Sequence, residues 1–334
     1  MSLHALADRL RGTRGIAHKR DIADVMAALG EHGGAGTAAT PVGDDCAAIP
    51  DGDGYLLFAI EGFLNEFVQT EPWFAGYCGV MVNVSDIYAM GGRPTAVVDA
   101  LWSRGGDAAL PILDGLATAA RVYGVPVVGG HTNRRTDREQ LSVAILGRAR
   151  RLLTSFDARP GDHLVAAIDL RGAYQEPHAY WNASTGAPPE RLRADLEVLP
   201  VIAEAGLCMA AKDISMAGIL GTALMLLECS QVGAAIDIDT IPRPEGVALE
   251  RWLTTFPSFG FLLSVDDAAL PQVLARFAER GISCAAIGRV DDSRRLTIGR
   301  GAEQALLWDL AHETLIGCAP AIHRADGADI PSTS

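Results

Sequence analysis

Lysine is almost absent from this sequence. Of 28 basic residues only Lys19 and Lys212 are lysines, and the rest are arginines. Positive charge is short altogether, because 41 acidic residues leave a net charge of −13. A chain with no broad basic face is a poor general binder of nucleic acid or of an anionic membrane surface. One anionic ligand in a local pocket remains compatible with that balance. Long apolar runs are missing too. None reaches the roughly 18 to 20 residues that span a bilayer, and "MSLHALADRLRGTRG" has no apolar core of the signal-peptide kind. The expectation is a cytoplasmic protein that does not enter the membrane. The six cysteines (Cys46, Cys78, Cys208, Cys229, Cys284 and Cys318) include no Cys-x-x-Cys pair and no zinc-type spacing with histidine. They read as free, mostly buried thiols in a reducing compartment. There is no Gly-x-x-x-x-Gly-Lys-Ser/Thr loop, no Gly-x-Gly-x-x-Gly opening a helix, no Gly-x-Ser-x-Gly and no His-Glu-x-x-His. Any nucleotide site is therefore not of the commonest kinds.

What is present is a regular alternation of elements. Hydrophobic periodicity predicts a helix over 16–30 with Gly30 past its end. A loop rich in glycine and small residues follows, then a buried strand at "YLLFAIEGF". A helix runs from near Pro72 to Gly91-Gly92. "PTAVVDALW" is a strand, "AALPILDGLATAARVYG" a helix, and "VPVVGGHTNRRTD" a strand entering a loop. "LSVAILGRARR" closes the first half. Pro160-Gly161-Asp162 is turn chemistry that opens a second mixed half. The 334 residues suit two domains, divided as 1–152 and 153–322, with a frayed tail over 323–334. In the second half, "AAKDISMAGIL" leads into the apolar helix "MAGILGTALMLLECS". Tyr174, Tyr180 and Trp181 sit in a long loop, which they either anchor or furnish with a stacking surface.

Acidic and glycine-bearing clusters recur at the ends of these elements. "PVGDDCAAI" places Asp44 beside Asp45, and hard oxygen ligands of this type suit Mg²⁺. "VNVSDIYAMGG" puts Asn83 and Asp86 on one helix face, three residues apart. Asp86 lies in apolar company, where a carboxylate is costly unless paired or bound to a cation. "VVGGHTNRR" ends a strand in Gly129 and Gly130, which would allow backbone amides close to a phosphate. His131 and Thr132 follow them. In "AAKDISMAGIL", Ser215 or Asp213 can cap the next helix and leave its first amides facing an anion. Glu61 is an isolated acid at the end of an apolar strand. Taken singly, these are also what a solvated turn, an ion-paired carboxylate, an ordinary Gly-Gly turn and a plain helix cap would give.

In this order, over residues 16–300, the clusters resemble the AIR synthase-related (PurM-like) superfamily, which includes thiamine-monophosphate kinase, selenophosphate synthetase and a hydrogenase-maturation dehydratase. "VGDDCAAI" looks like its Gly-Asp-Asp element, "VNVSDIYAMGGRP" like its Asn-x-Ser-Asp segment, "VVGGHT" like Gly-Gly-Asp-Thr, and "KDISMAGI" like Asp-x-Ser-Asp-Gly-Gly. The resemblance implies an α/β chain of two domains, whose N-terminal sheets pair across a homodimer. It implies ATP in a cleft beneath a glycine-rich loop, here Gly33, Gly34 and Gly36, with Mg²⁺ on the phosphates. Asp44, Asp45, Glu61, Asp86 and Asp213 become metal-ligand candidates. Asn83, Gly129, Gly130, Thr132 and Ser215 become nucleotide contacts. Asp213, His131 and Lys19 become catalytic candidates. The implied activity is ATP- and Mg²⁺-dependent phosphorylation or activation of an oxygen of a small metabolite. Three departures from the family pattern stand out: His131 and Met216 replace acids, and Glu61 replaces Asp. They point to an alternative, a nucleotide-binding subunit without catalysis.

Overall fold

The computed structural model describes residues 2–30 and 39–318. The expected glycine-rich loop at Gly33, Gly34 and Gly36, and the tail over 323–334, lie outside them. The chain opens with α1 (Leu3–Arg11) and α2 (Arg14–Gly30), then β1 (Ala47–Asp51), β2 (Gly54–Gly62), α3 (Asn65–Thr70), α4 (Pro72–Ala89), β3 (Arg93–Trp102), α5 (Gly106–Tyr123), β4 (Val127–Asn133) and β5 (Gln140–Ala149). The five strands form one sheet in the order β1-β2-β5-β3-β4. Only β3 and β4 run parallel.

Helix α4 is apolar around its whole circumference and buried from Phe74 to Ala89. That is the pattern of a helix covered on every side. It lies on the sheet and against α5, and glycines set the approach. A Cβ on Gly76 would stand 2.0 Å from the Ile112 carbonyl oxygen, and one on Gly115 1.9 Å from that of Trp73. The inner sheet face supplies Leu57, Val97, Leu101, Leu141, Val143 and Ile145 to this core. Strand alternation sends the neighbouring residues outward. Phe58, Ile60, Val98 and Leu146 are accordingly exposed, Ile60 to 67%.

The second half comprises β6 (His163–Ile168), β7 (Ala173–Tyr174), β8 (Tyr180–Asn182), α6 (Pro189–Leu196), α7 (Val198–Glu204), β9 (Ala210–Asp213), α8 (Gly218–Ser230), β10 (Gly233–Asp237), α9 (Leu249–Leu253), β11 (Phe256–Pro257), β12 (Gly260–Val265), α10 (Leu270–Ala278), β13 (Ser283–Asp291), β14 (Arg295–Arg300) and β15 (Glu303–Asp309). Seven strands order as β15-β14-β10-β13-β6-β12-β9, and β11-β8-β7 form a small separate sheet. Successive residues again divide between two layers. Val165, Ala167, Ala211, Phe261 and Leu263 join the core that includes α4 and the N-terminal sheet. Leu164, Ala166, Ala210 and Leu262 join the layer under α1 and α8. The two halves thus share one continuous core.

Three expectations change, and one hairpin is added to them. First, α1 packs on the C-terminal sheet through Leu3, Leu6 and Leu10, although a division at residue 152 groups it with the other half. Second, "AAKD" is the edge strand β9, and α8 begins only at Gly218. The helix has no side-chain cap from Ser215 or Asp213. It starts instead at a glycine with φ of 68° pressed against the Leu253 carbonyl. The added hairpin, β14–β15, turns at Gly301, a residue with positive φ, and carries the C-terminal edge of the sheet. Third, Cys229 and Cys318 are not free but joined in a disulfide. Glu228 explains their meeting: its buried carboxylate accepts hydrogen bonds from the Leu315, Ile316 and Gly317 amides, each at 2.9 Å. This docks the following residue against the end of α8. Cys46, Cys78 and Cys208 are free and buried, and Cys284 is free and half-buried.

Candidate metal centre

Three carboxylates from three distant parts of the chain converge. Asp45 follows the Gly43-Asp44 turn into β1. Asp86 lies in the last turns of α4. Asp213 ends β9, the edge strand of the other half. Each offers an oxygen within 4.8 Å of the others. Asp86 and Asp213 are buried, and the side chain of Asp45 is only 5% exposed.

The helix face is incompletely satisfied. Asn83 Nδ2 donates to the Gly79 carbonyl at 2.8 Å and the Val143 carbonyl at 3.0 Å, which fixes the side chain. Its Oδ1 is buried without a hydrogen-bond partner, and so is Asp86 Oδ2. Buried oxygens are rarely left this way, and each such group calls for an explanation.

The electrostatics point the same way. Burial pushes the Asp86 carboxyl well above the ordinary range, and Asp213, Glu61 and Asp45 add repulsion. Asp213 is pushed up to about 8, by burial first and by Asp45 next. The nearby Cys46 thiol is raised by burial and then by four acids, Asp86 foremost. The site is short of positive charge. Lys212 supplies part of it, pairing with Asp45 and reaching Ser155 Oγ at 3.4 Å. Burial opposes its charge, but Asp45, Asp44 and Asp213 outweigh that and hold its pKa above the usual lysine value. Oxygen-only donors, two orphaned oxygens and mutual repulsion among the acids fit a hard divalent cation such as Mg²⁺.

The remaining candidates separate by position. Asp44 does not join the three acids. Its oxygens accept from the Ser155 amide at 2.9 Å and the Ser155 hydroxyl at 2.6 Å, so it ties the acidic loop to the chain between the two sheets. Burial raises its pKa to about 6 against the attraction of Lys212. Glu61 lies outside the trio but within its field. Burial raises its pKa, Lys19 and Lys212 oppose the rise, and Asp45 adds to it. Lys19, on α2, also lowers Asp213. Gly129, Gly130, His131 and Thr132 lie exposed on β4, at the sheet edge opposite β1. His131 packs its ring near Trp102. Ser215 Oγ is buried without a partner. Ser155 was not singled out by sequence, since its role depends on a contact 111 residues away. Lys212 carried one signal, its rarity as a residue type.

The sequence model for the AIR synthase related protein N-terminal domain matches residues 43–149, and that for the C-terminal domain matches residues 160–300. The chain belongs to the AIR synthase related protein family. An uncharacterised Synechocystis sp. protein is 48% identical over 310 residues, covering 92% of this chain and 96% of that one. Among solved structures, T. maritima PurL complexed with ATP superposes with a TM-score of 0.69 at 21% identity, over 89% of this chain and 50% of that one. AaThiL complexed with AMPPCP and TMP superposes with a TM-score of 0.63 at 19% identity, over 85% and 96%. At such identities the likeness establishes the PurM-like two-domain fold. The chain spans about half the length of the PurL chains that it matches. No helix among the described residues is long and apolar enough to cross a membrane.

Proposed function

We propose that this AIR synthase-related chain is an ATP-using enzyme that phosphorylates or activates an oxygen of a small metabolite. Asp45, Asp86 and Asp213 would hold Mg²⁺. The observation that carries the reading is the convergence of these acids around an orphaned Asp86 oxygen. Two fold relatives, T. maritima PurL complexed with ATP and AaThiL complexed with AMPPCP and TMP, support it.

A bound Mg²⁺ would offset the negative charge of the nucleotide's phosphate oxygens. The chain's own residues do the positioning. Ser155 holds Asp44 by two hydrogen bonds. Lys212 and the Asp213 amide hold Asp45, the amide at 3.3 Å from Asp45 Oδ2. Gly79 and Val143 hold Asn83 with its free oxygen buried on the Asp86 side of α4. Such preorganisation costs little at the moment of reaction and lets the protein orient a nucleophile in line. The loop with Gly33, Gly34 and Gly36 would cover the phosphates. The exposed apolar face of the N-terminal sheet would pair with a second copy of the chain in the cytoplasm.

The test is ATP turnover with Mg²⁺ across a metabolite panel. Turnover above background that Asp86→Ala removes is expected. Background rates with every metabolite would overturn catalysis, and an Asp86→Ala variant as active as the native chain would overturn the metal role given to Asp86. One observation favours a second reading. Lys212 already neutralises Asp45, while His131 and Met216 replace expected acids, so the chain would bind nucleotide without turning it over. ATP binding with no turnover under any condition would select that reading.

A further inference from the structure

Beside the acidic centre lies a partly open cleft between the two halves. Glu61 and Met216 line it, and both adjoin the centre. Glu61 is in the electrostatic field of Asp86, and Met216 follows Asp213 by three residues. The walls are apolar, with Phe63, Phe67, Phe74, Met81, Tyr180 and Phe256 among them. Tyr180 is presented edge-on to Phe67 and Phe256. Its neighbour Trp181 donates from Nε1 to the Asp169 carbonyl and meets Tyr174 and Trp252 edge to face. Tyr174 in turn bonds Thr255 and lies under Arg251. Trp181 and Tyr174 thus anchor the loop, and Tyr180 furnishes the wall.

The charges of the lining decide what could fill it. Glu61 is its one ionisable carboxylate, with Asn182 and Ser258 as further polar side chains, and among the described residues no Arg, Lys or His lines it. Lys19 and Lys212 act on Glu61, and Arg14 on Tyr180, only from outside the lining. His178 stacks on Tyr180 without lining the cleft itself. An anion entering would therefore lose water without contacting a cation, which is costly. Aromatic faces beside a carboxylate instead favour apolar rings and positive charge. We infer that this cleft binds a small aromatic molecule that carries no negative charge. That this molecule is the phosphoryl acceptor rests on the enzymatic reading above; the chemistry of what the cleft takes does not.

Three probes of one shape separate the possibilities: naphthylmethanol, naphthylmethylammonium and naphthyl phosphate, titrated calorimetrically into the whole protein. The neutral and cationic probes should bind at least about tenfold more tightly than the phosphate. Glu61→Gln should remove any advantage of the ammonium over the alcohol. Met216→Lys, at a partly exposed position, should raise affinity for the phosphate probe. Equal or tighter binding of the phosphate by the native chain, or no binding of any probe, would overturn the inference. Mg²⁺-ATP titrated in parallel keeps the two claims apart. If the nucleotide fails to bind while the probe order holds, the enzymatic reading falls and the cleft assignment stands.

Discussion

Asp86 lies in the last turns of an apolar helix with an unpartnered oxygen and two further carboxylates close by. An arrangement that costs stability and has no structural partner is common where a ligand supplies the missing contact. Asp86→Asn should therefore leave the metal-free protein at least as stable, by up to about 1 kcal/mol. It should also abolish the stabilisation that Mg²⁺ gives the native chain. Thermal unfolding with and without millimolar Mg²⁺ checks both; a variant as responsive to Mg²⁺ as the native chain would contradict the assignment. Lys212 makes the opposite case. Lys212→Met leaves Asp45 buried without its cation and should cost about 3 to 5 kcal/mol, partly regained in Mg²⁺, as measured by urea unfolding. Asp86 stands out in the sequence as an acid in apolar surroundings and Asp45 as one of an adjacent pair, whereas Asp213 reads locally as a helix cap and becomes a ligand candidate only through the family resemblance. The division of labour between Asp44 and Asp45 could not, because it is set by Ser155 and Lys212, far away in the chain.

At the level of elements, the crossing of α4 and α5 sets where Asp86 lies. The crossing depends on Gly76 and Gly115, each of which brings one helix against a backbone carbonyl of the other. Gly115→Val should destabilise the fold by roughly 3 kcal/mol or more through overpacking, measurable as a lower urea midpoint. Unchanged stability would show that the crossing has slack. The limits of α4 and α5 were legible in sequence, since long periodic segments end at Gly91 and Gly124, both with positive φ. The start of α8 was not. "AAKDIS" carries polar residues of the capping type, yet β12 recruits Ala210–Asp213 as an edge strand, a long-range pairing that no local pattern specifies. The β14–β15 hairpin escaped for a similar reason, its register being completed by the distant strand β10.

For the whole molecule, two mixed sheets with a shared core follow from the alternation of strands and helices read along the chain. The docking of α1 on the far sheet and the Cys229–Cys318 bond are products of tertiary packing alone. The outer face of the N-terminal sheet carries Phe58, Ile60 and Val98 exposed to 51%, 67% and 41%, and exposed apolar side chains gathered on one sheet face are what an interaction surface presents. Sedimentation should find the native chain dimeric and Ile60→Glu shifted towards monomer; a monomeric native chain would contradict pairing through this face. The central claim is that the three acids make a cation-dependent nucleotide site across the two halves. Calorimetric titration of ATP into the native chain and Asp86→Asn, in Mg²⁺ and again in EDTA, tests it most directly. The account predicts binding by the native chain in Mg²⁺ that weakens at least about tenfold in EDTA and in the variant. Equal binding with and without Mg²⁺, or no binding of ATP at all, would contradict it.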